Sequence, residues 1–135
     1  MKLVGFNFNK ISVEKSKEKN EKIKISSNIE IAEIKEVVLK LVDSKEKILN
    51  VSFSYLLKYE PDFAKVEFEG SILLSIEEKM AEEILKKWED KETAQDFKLA
   101  VLNVIFKKCN VKALQLEEEL NLPFHMPMAS LKSSK

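Results

Sequence analysis

Cys109 is the only thiol in the chain and His125 the only imidazole. A cysteine nucleophile worked by a histidine base is therefore the first chemistry to test, and Lys107 and Lys108 beside the sulfur would favour its thiolate if it were exposed. No family signature surrounds the cysteine, however, and no orienting acid or amide is evident, so the pair reads as a structural thiol and an incidental imidazole. His125 with Met126 and Met128 offers soft donors of the kind that hold copper(I), but methionines set beside prolines are ordinarily adaptable packing residues. Adjacent carboxylates recur at Glu77–Glu78, Glu82–Glu83 and Glu117–Glu119. Helical neighbours point in different directions, and general acid–base work needs a desolvated carboxyl in a cleft, so all of these read as surface charge. No catalytic residue, metal site or cofactor is expected.

Composition narrows the alternatives. The 135 residues suit one domain, residues 1–135. The single cysteine cannot form an internal bridge, no secretory leader is recognisable and no apolar run is long enough to span a bilayer, which together predict a cytoplasmic protein without membrane insertion. Twenty-three basic residues balance 23 acidic ones. Every basic residue is lysine, interleaved with glutamate and with no concentrated positive patch, so no nucleic-acid partner is expected. Glycine occurs only at Gly5 and Gly70, which excludes a glycine-rich phosphate cradle.

The elements that would position any site read as strands over about 3–74 and helices over about 76–120. "LVGFNFNKISV" alternates with Val4, Phe6 and Phe8 on one side, then changes phase at Ile11 and Val13, which predicts a strand with a bulge near Asn9 and Lys10. Ile23, Ile25, Ile29 and Ile31 predict a second strand, bent at Ser26 to Asn28. From Ala32 to Val42 the spacing of Ile34, Val37, Val38, Leu41 and Val42 suits a short helix and the β-branched content a strand, so the role of residues 32–47 stays open. Leu49 through Tyr59 and Ala64 through Leu74 each present one apolar face, and "YEPD" supplies the turn of an antiparallel hairpin. Ser75 and Glu78 match a capping box for a helix over Ile76 to Glu89, with a stripe of Ile76, Met80, Ile84 and Trp88. Thr93 is expected to cap a second helix reaching about Leu120, irregular near Asn110 and apolar nearly all round, as in a central helix or one shared with another subunit.

Before a final "KSSK" comes "LNLPFHMPMASL", an uncharged strip from Leu120 to Leu131. Pro123 and Pro127 hold this backbone extended and remove two amide donors, so residues 121–131 are expected to lie as a strap. Leu122, Phe124, Met126, Met128 and Leu131 are its apolar contacts, and the surface receiving them belongs either to the same domain, to another subunit or to a groove for other extended chains. Trp88 reads first as core and second as part of a ligand groove.

In order, these elements give a strand, a strand with a crossover, a long hairpin ending in "FEGSILLSIEE", two helices and "LEEELNLPFHMP". "EGSI" leading into the helices, with "LNLP" after the last one, resembles the SecB-like protein-export chaperone family in its divergent, archaeal-looking form. The resemblance implies an α+β fold, a four-stranded antiparallel sheet with helices packed on one face, assembled as dimers or tetramers that hold unfolded polypeptides in apolar grooves without ATP or metal. Export members of that family are markedly acidic, whereas this chain is neutral and has no acidic tail.

The resulting expectation is a non-enzymatic, homo-oligomeric, chaperone-like protein whose partners are unfolded or extended polypeptides, with Leu122, Phe124, Met126, Met128, Leu131 and Trp88 as contact residues. A small-molecule-binding protein or enzyme, using a pocket near Tyr55, Tyr59 or Trp88, is the alternative, as is an adaptor docking its strap on one dedicated protein.

Overall fold

The computed structural model describes residues 1–16, 22–38, 45–127 and 131. Four strands, β1 (Lys2–Lys15), β2 (Lys24–Val37), β3 (Glu46–Glu60) and β4 (Ala64–Glu77), are followed by helices α1 (Glu78–Glu89) and α2 (Gln95–Glu119). The strands form one sheet in the order β1-β4-β3-β2, with every pairing antiparallel. Both helices pack on one face, so the fold is α+β as expected.

Alternation explains the layering. Leu49, Val51, Phe53, Tyr55, Leu57 and Tyr59 of β3 and Val66, Phe68, Ile72, Leu74 and Ile76 of β4 are all buried against the helices, while Lys58, Lys65 and Glu69 on the other face are exposed. On that outer face Glu67 bonds Lys10 at 2.6 Å and Lys65 at 2.9 Å, which holds its carboxyl down at about 2.

Bulges settle the segments whose spacing was ambiguous. In β1 the register shifts between Phe8 and Lys10, as the phase change predicts, and a second shift between Leu3 and Gly5 makes Val4 an extra residue. In β2 the register runs unbroken through Ser26, Ser27 and Asn28, so no bend occurs there. The irregularity lies instead at Ala32, between Ile31 and Glu33, and β2 continues to Val37. With Ala32 unpaired, Ile31 and Ile34 both face the helices although three residues apart, a spacing that imitates a helix in the bare sequence. Residues 39–44, the rest of the ambiguous stretch, lie outside the described residues.

The first helix starts later than the capping-box reading has it. Ser75 and Ile76 belong to β4, Ser75 pairs with Lys2 and Ile48, and its hydroxyl donates to the Glu46 carboxylate rather than to a helix amide. Ala81 and Ile84 are the buried residues of α1, while Met80, expected in the stripe, is exposed. Thr93 does not cap α2, whose N-cap is Ala94 without a side-chain bond.

The second helix runs through Asn110 without interruption and buries Phe97, Val101, Ile105, Cys109, Ala113 and Glu117, every fourth residue. Because a turn takes 3.6 residues, a four-residue stripe drifts by about 40° per step and winds round the axis. The winding matches the path of α2, which begins beside β2 and ends toward β1, where Lys108 sits over the Phe6 ring and Lys15 reaches the Leu120 carbonyl. Leu99, Phe106 and Val111 remain exposed, so α2 is a surface helix of the single chain. Leu3 and Ile11, on the helix-facing side of β1, are exposed as well.

Gly70 allows β1 to close on β4. A Cβ there would lie 2.3 Å from the Asn7 carbonyl oxygen and 2.8 Å from Phe53 Cζ, whereas one at Gly5 would first meet Leu73 Cδ1 at 3.4 Å. Gly70→Ala is expected to cost about 1–3 kcal/mol in urea unfolding. Gly5→Ala should leave the midpoint nearly unchanged.

Candidate functional site

Two places on the molecule concern the residues singled out by sequence. The first is the strap. Helix α2 ends at Glu119 with Leu120 as its C-cap, Asn121 turns left-handed with φ 55°, the Asn121 amide donates to Glu118 O at 3.2 Å and the Leu122 amide donates to Glu117 O at 2.8 Å. This pair of bonds is a Schellman stop, in which asparagine tolerates the left-handed position and proline follows because it cannot extend the helix. "LNLP" thus has a local physical cause. The last turn of α2 is acidic, and Lys15 of β1 supplies the missing cation by donating to Leu120 O at 2.8 Å.

Beyond the stop, polar groups hold the strap. The Tyr59 hydroxyl donates to Pro123 O at 2.5 Å. The His125 backbone amide donates to Glu117 Oε1 at 2.6 Å, and its ring Nδ1 lies 2.9 Å from Oε1 and 2.8 Å from Oε2 of the same carboxylate. On the other side of the ring, Nε2 lies 3.1 Å from Asn110 Oδ1, which also accepts from the Tyr55 hydroxyl at 2.9 Å. Glu117 is 0% exposed. This corrects its reading as surface charge: it occupies the last position of the buried stripe of α2, and the strap shields it from water. Burial, with the nearby Cys109 and Glu117 adding to it, pushes the Tyr55 phenol well above the ordinary tyrosine range; burial followed by Glu117 does the same to Tyr59.

Sequence reasoning missed Glu117, Asn110 and Tyr55 as partners of His125, and Tyr59 as the residue that holds Pro123 O. The signal was present in the four-residue repeat Phe97, Val101, Ile105, Cys109, Ala113, which carries on to Glu117. Cys109 and His125 do not form a nucleophile–base pair, since the ring nitrogens face Glu117 and Asn110 and the thiol is buried. Burial alone pushes that thiol up to about 12.

The strap's apolar side chains have separate fates. Leu122 is 5% exposed and belongs to the core, while Phe124 at 44% and Leu131 at 103% face outward, as does Met126. Met128 lies outside the described residues.

The second place is a cleft of about 370 Å³ between the outer edge of β2 and the helices. Ile29, Glu30, Ile31 and Ala32 form one side, and half-buried Trp88 with Lys91, Thr93, Lys98 and Leu102 the other. Trp88 is thus both packed and accessible. From Leu102 to Glu117 is fifteen residues of helix, about 22 Å, so the structure does not bring Trp88 and the strap together. A wider hollow of about 570 Å³ at the hairpin end is lined mainly by mixed charge, including Lys58, Glu60, Asp62 and Lys65. Among the described residues, no three His, Cys, Asp or Glu side chains gather as a metal set, and no helix is long and apolar enough to cross a membrane.

Three outcomes follow from the strap and thiol geometry. His125→Ala keeps the backbone amide on Glu117 but removes the imidazole from the buried carboxyl, and is expected to cost about 1–3 kcal/mol, read by urea unfolding, with Glu117 and His125 replaced together costing less than the sum. Cys109 should resist thiol-labelling reagents at pH 8 in the folded protein and react at once in denaturant. With its folded value raised from 9.0 to about 12, the unfolded chain loses this proton first, so stability should decline as pH rises above about 9; Cys109→Ser should remove that part of the decline.

No protein-family model and no curated protein sequence matches the chain. Among solved structures, it is similar to the SecB-like chaperone Rv1957 of Mycobacterium tuberculosis, solved in complex with a ChAD peptide from the Rv1956 HigA1 antitoxin. The TM-score is 0.58 over 97% of this chain and 87% of that one, at 14% sequence identity. Nothing in these comparisons bears on an archaeal source. The likeness extends over nearly the whole chain and shows the fold, a SecB-like sheet with its two helices.

Proposed function

We propose that this protein is a non-enzymatic, chaperone-like binder of unfolded or extended polypeptides, working as a soluble cytoplasmic homo-oligomer. The observation that carries the reading is the cleft beside β2. An edge strand offers unpaired backbone groups to an incoming chain, and half-buried Trp88 with Leu102 offers adaptable apolar surface next to them. The peptide held by the SecB-like structural neighbour supports the same use of the fold.

Exposed Phe124 and Met126 supply a second contact surface beyond the other end of α2, and Met128 and Leu131 are assigned to it by sequence. At about 3.3 Å per residue, a client spanning both places needs roughly seven extended residues, which favours long unfolded segments over single side chains. Leu122, committed to the core, contributes only to holding the strap in place. Exposed Leu3, Ile11, Leu99, Phe106 and Val111 supply the apolar area for subunit association. The pocket alternative loses ground at Tyr55 and Tyr59, whose side chains are core and whose hydroxyls are bonded to Asn110 and Pro123.

Suppression of aggregation of a slowly refolding client provides the test. Trp88→Ala should raise the amount of protein required severalfold, and Phe124, Met126 and Met128 changed together to serine should raise it further, with the oligomer intact by light scattering. If both variants match the parent protein, these surfaces do not hold clients. Saturable binding to one folded partner, with none to unfolded chains, would replace the chaperone by an adaptor.

A further inference from the structure

Two lysines line the β2 cleft. Lys91 and Lys98 both line it, and neither makes a salt bridge among the described residues. Glu30 lines it too, but Glu30 pairs with Ser54, which puts its side chain on the outer face, opposite Ile29 and Ile31, where Asn28 Nδ2 donates to its carboxylate at 3.0 Å. The carboxylate is thereby turned away from the side on which a ligand would meet Trp88. Lys91 is also fixed in place: its backbone is left-handed with φ 58°, its amide donates to Trp88 O at 2.8 Å, and its Nζ sits 4.9 Å from the centre of the Trp88 ring. In a chain whose charges cancel overall, this cleft joins an aromatic face to cations that make no ion pair among the described residues.

We propose that the cleft selects extended peptides carrying an acidic residue two positions from a bulky apolar one. This rests on the polypeptide-binding reading and adds a preference to it. A chain paired along the open edge of β2 points alternate side chains to the same face, so residues two apart both turn toward the helices. The apolar one covers Trp88 and Leu102, and the carboxylate meets Lys91 or Lys98. Basic segments, otherwise equally apolar, are repelled.

Trp88 is the only tryptophan, so its fluorescence reports the cleft directly, alongside the anisotropy of fluorescein-labelled peptides. Three peptides are compared, identical except that the residue two positions from a phenylalanine is glutamate, glutamine or lysine. Binding should fall in that order, about five- to tenfold from glutamate to lysine at low salt, with the difference shrinking as salt is added. Lys91→Glu with Lys98→Glu should reverse the order, and the milder Lys91→Gln with Lys98→Gln should level it if the reversed pair folds poorly. Equal binding of all three peptides, or tighter binding of the lysine peptide, overturns the charge preference and leaves the polypeptide reading standing. Binding of none overturns both.

Discussion

Two helices have to roof one face of a four-stranded sheet, and they are too short to do it. A strand of 14 residues runs about 46 Å at 3.3 Å per residue, while helices of 12 and 25 residues reach only about 18 Å and 37 Å. The central strands β3 and β4 are roofed first, because they carry the large side chains Phe53, Tyr55, Tyr59 and Phe68. What is left uncovered falls at the edges. Leu3 and Ile11 of β1 stay exposed on the roofed face, and beside β2 a cleft opens between Ile29–Ala32 and Trp88. The diagonal course of α2, and the winding stripe that permits it, spread one helix between both edges. The same shortage therefore produces the cleft and the surplus apolar surface.

The strap answers the shortage at one corner by an unusual route. Glu117 reaches the end of the buried stripe where an apolar residue would serve the core, and its carboxylate is tolerable there only because the His125 ring and amide both meet it. A buried pair of this kind contributes little net stability compared with an apolar filling, but breaking it is costly. It ties the strap to the last turn of α2 at His125. Tyr59 on Pro123 O and Asn110 on the far side of the imidazole add two further attachments. With its backbone held by polar bonds, the strap does not need Phe124 or Met126 for its own attachment, and both stand outward.

Much of this was legible. The hairpin at "YEPD" and the bulge at Asn9 follow from period-two alternation, a signal that survives because β3 and β4 have one wet face. Alternation fails wherever a bulge inserts a residue: at Ala32 the extra residue turned a strand into a pattern that scans as a helix. Ser75 misled for a different reason, since a serine followed by glutamate three residues on is equally at home in a strand when its hydroxyl finds a carboxylate such as Glu46. Glu117 was hidden by its company. Amid "LEEEL" it carries the same letter as two exposed neighbours, Glu118 and Glu119, and only the phase of the helix separates it from them. The partner that makes its burial possible lies eight residues away, across a helix stop, where no periodicity reaches.

Edge strands create a conflict for a sheet of this kind. An open edge that accepts extended chains also invites the edge of another copy, and continuous pairing would lead to aggregation. Here both edges are interrupted, β1 at Val4 and Asn9 and β2 at Ala32. A bulge breaks the ladder locally and increases twist, so a strand laid along β2 meets a regular edge only up to Ile31. Charge adds a second filter on the proposed reading. The incoming segment has to present an apolar side chain to Trp88 and avoid placing a cation against Lys91 and Lys98. A short regular edge thus limits continuous pairing between copies.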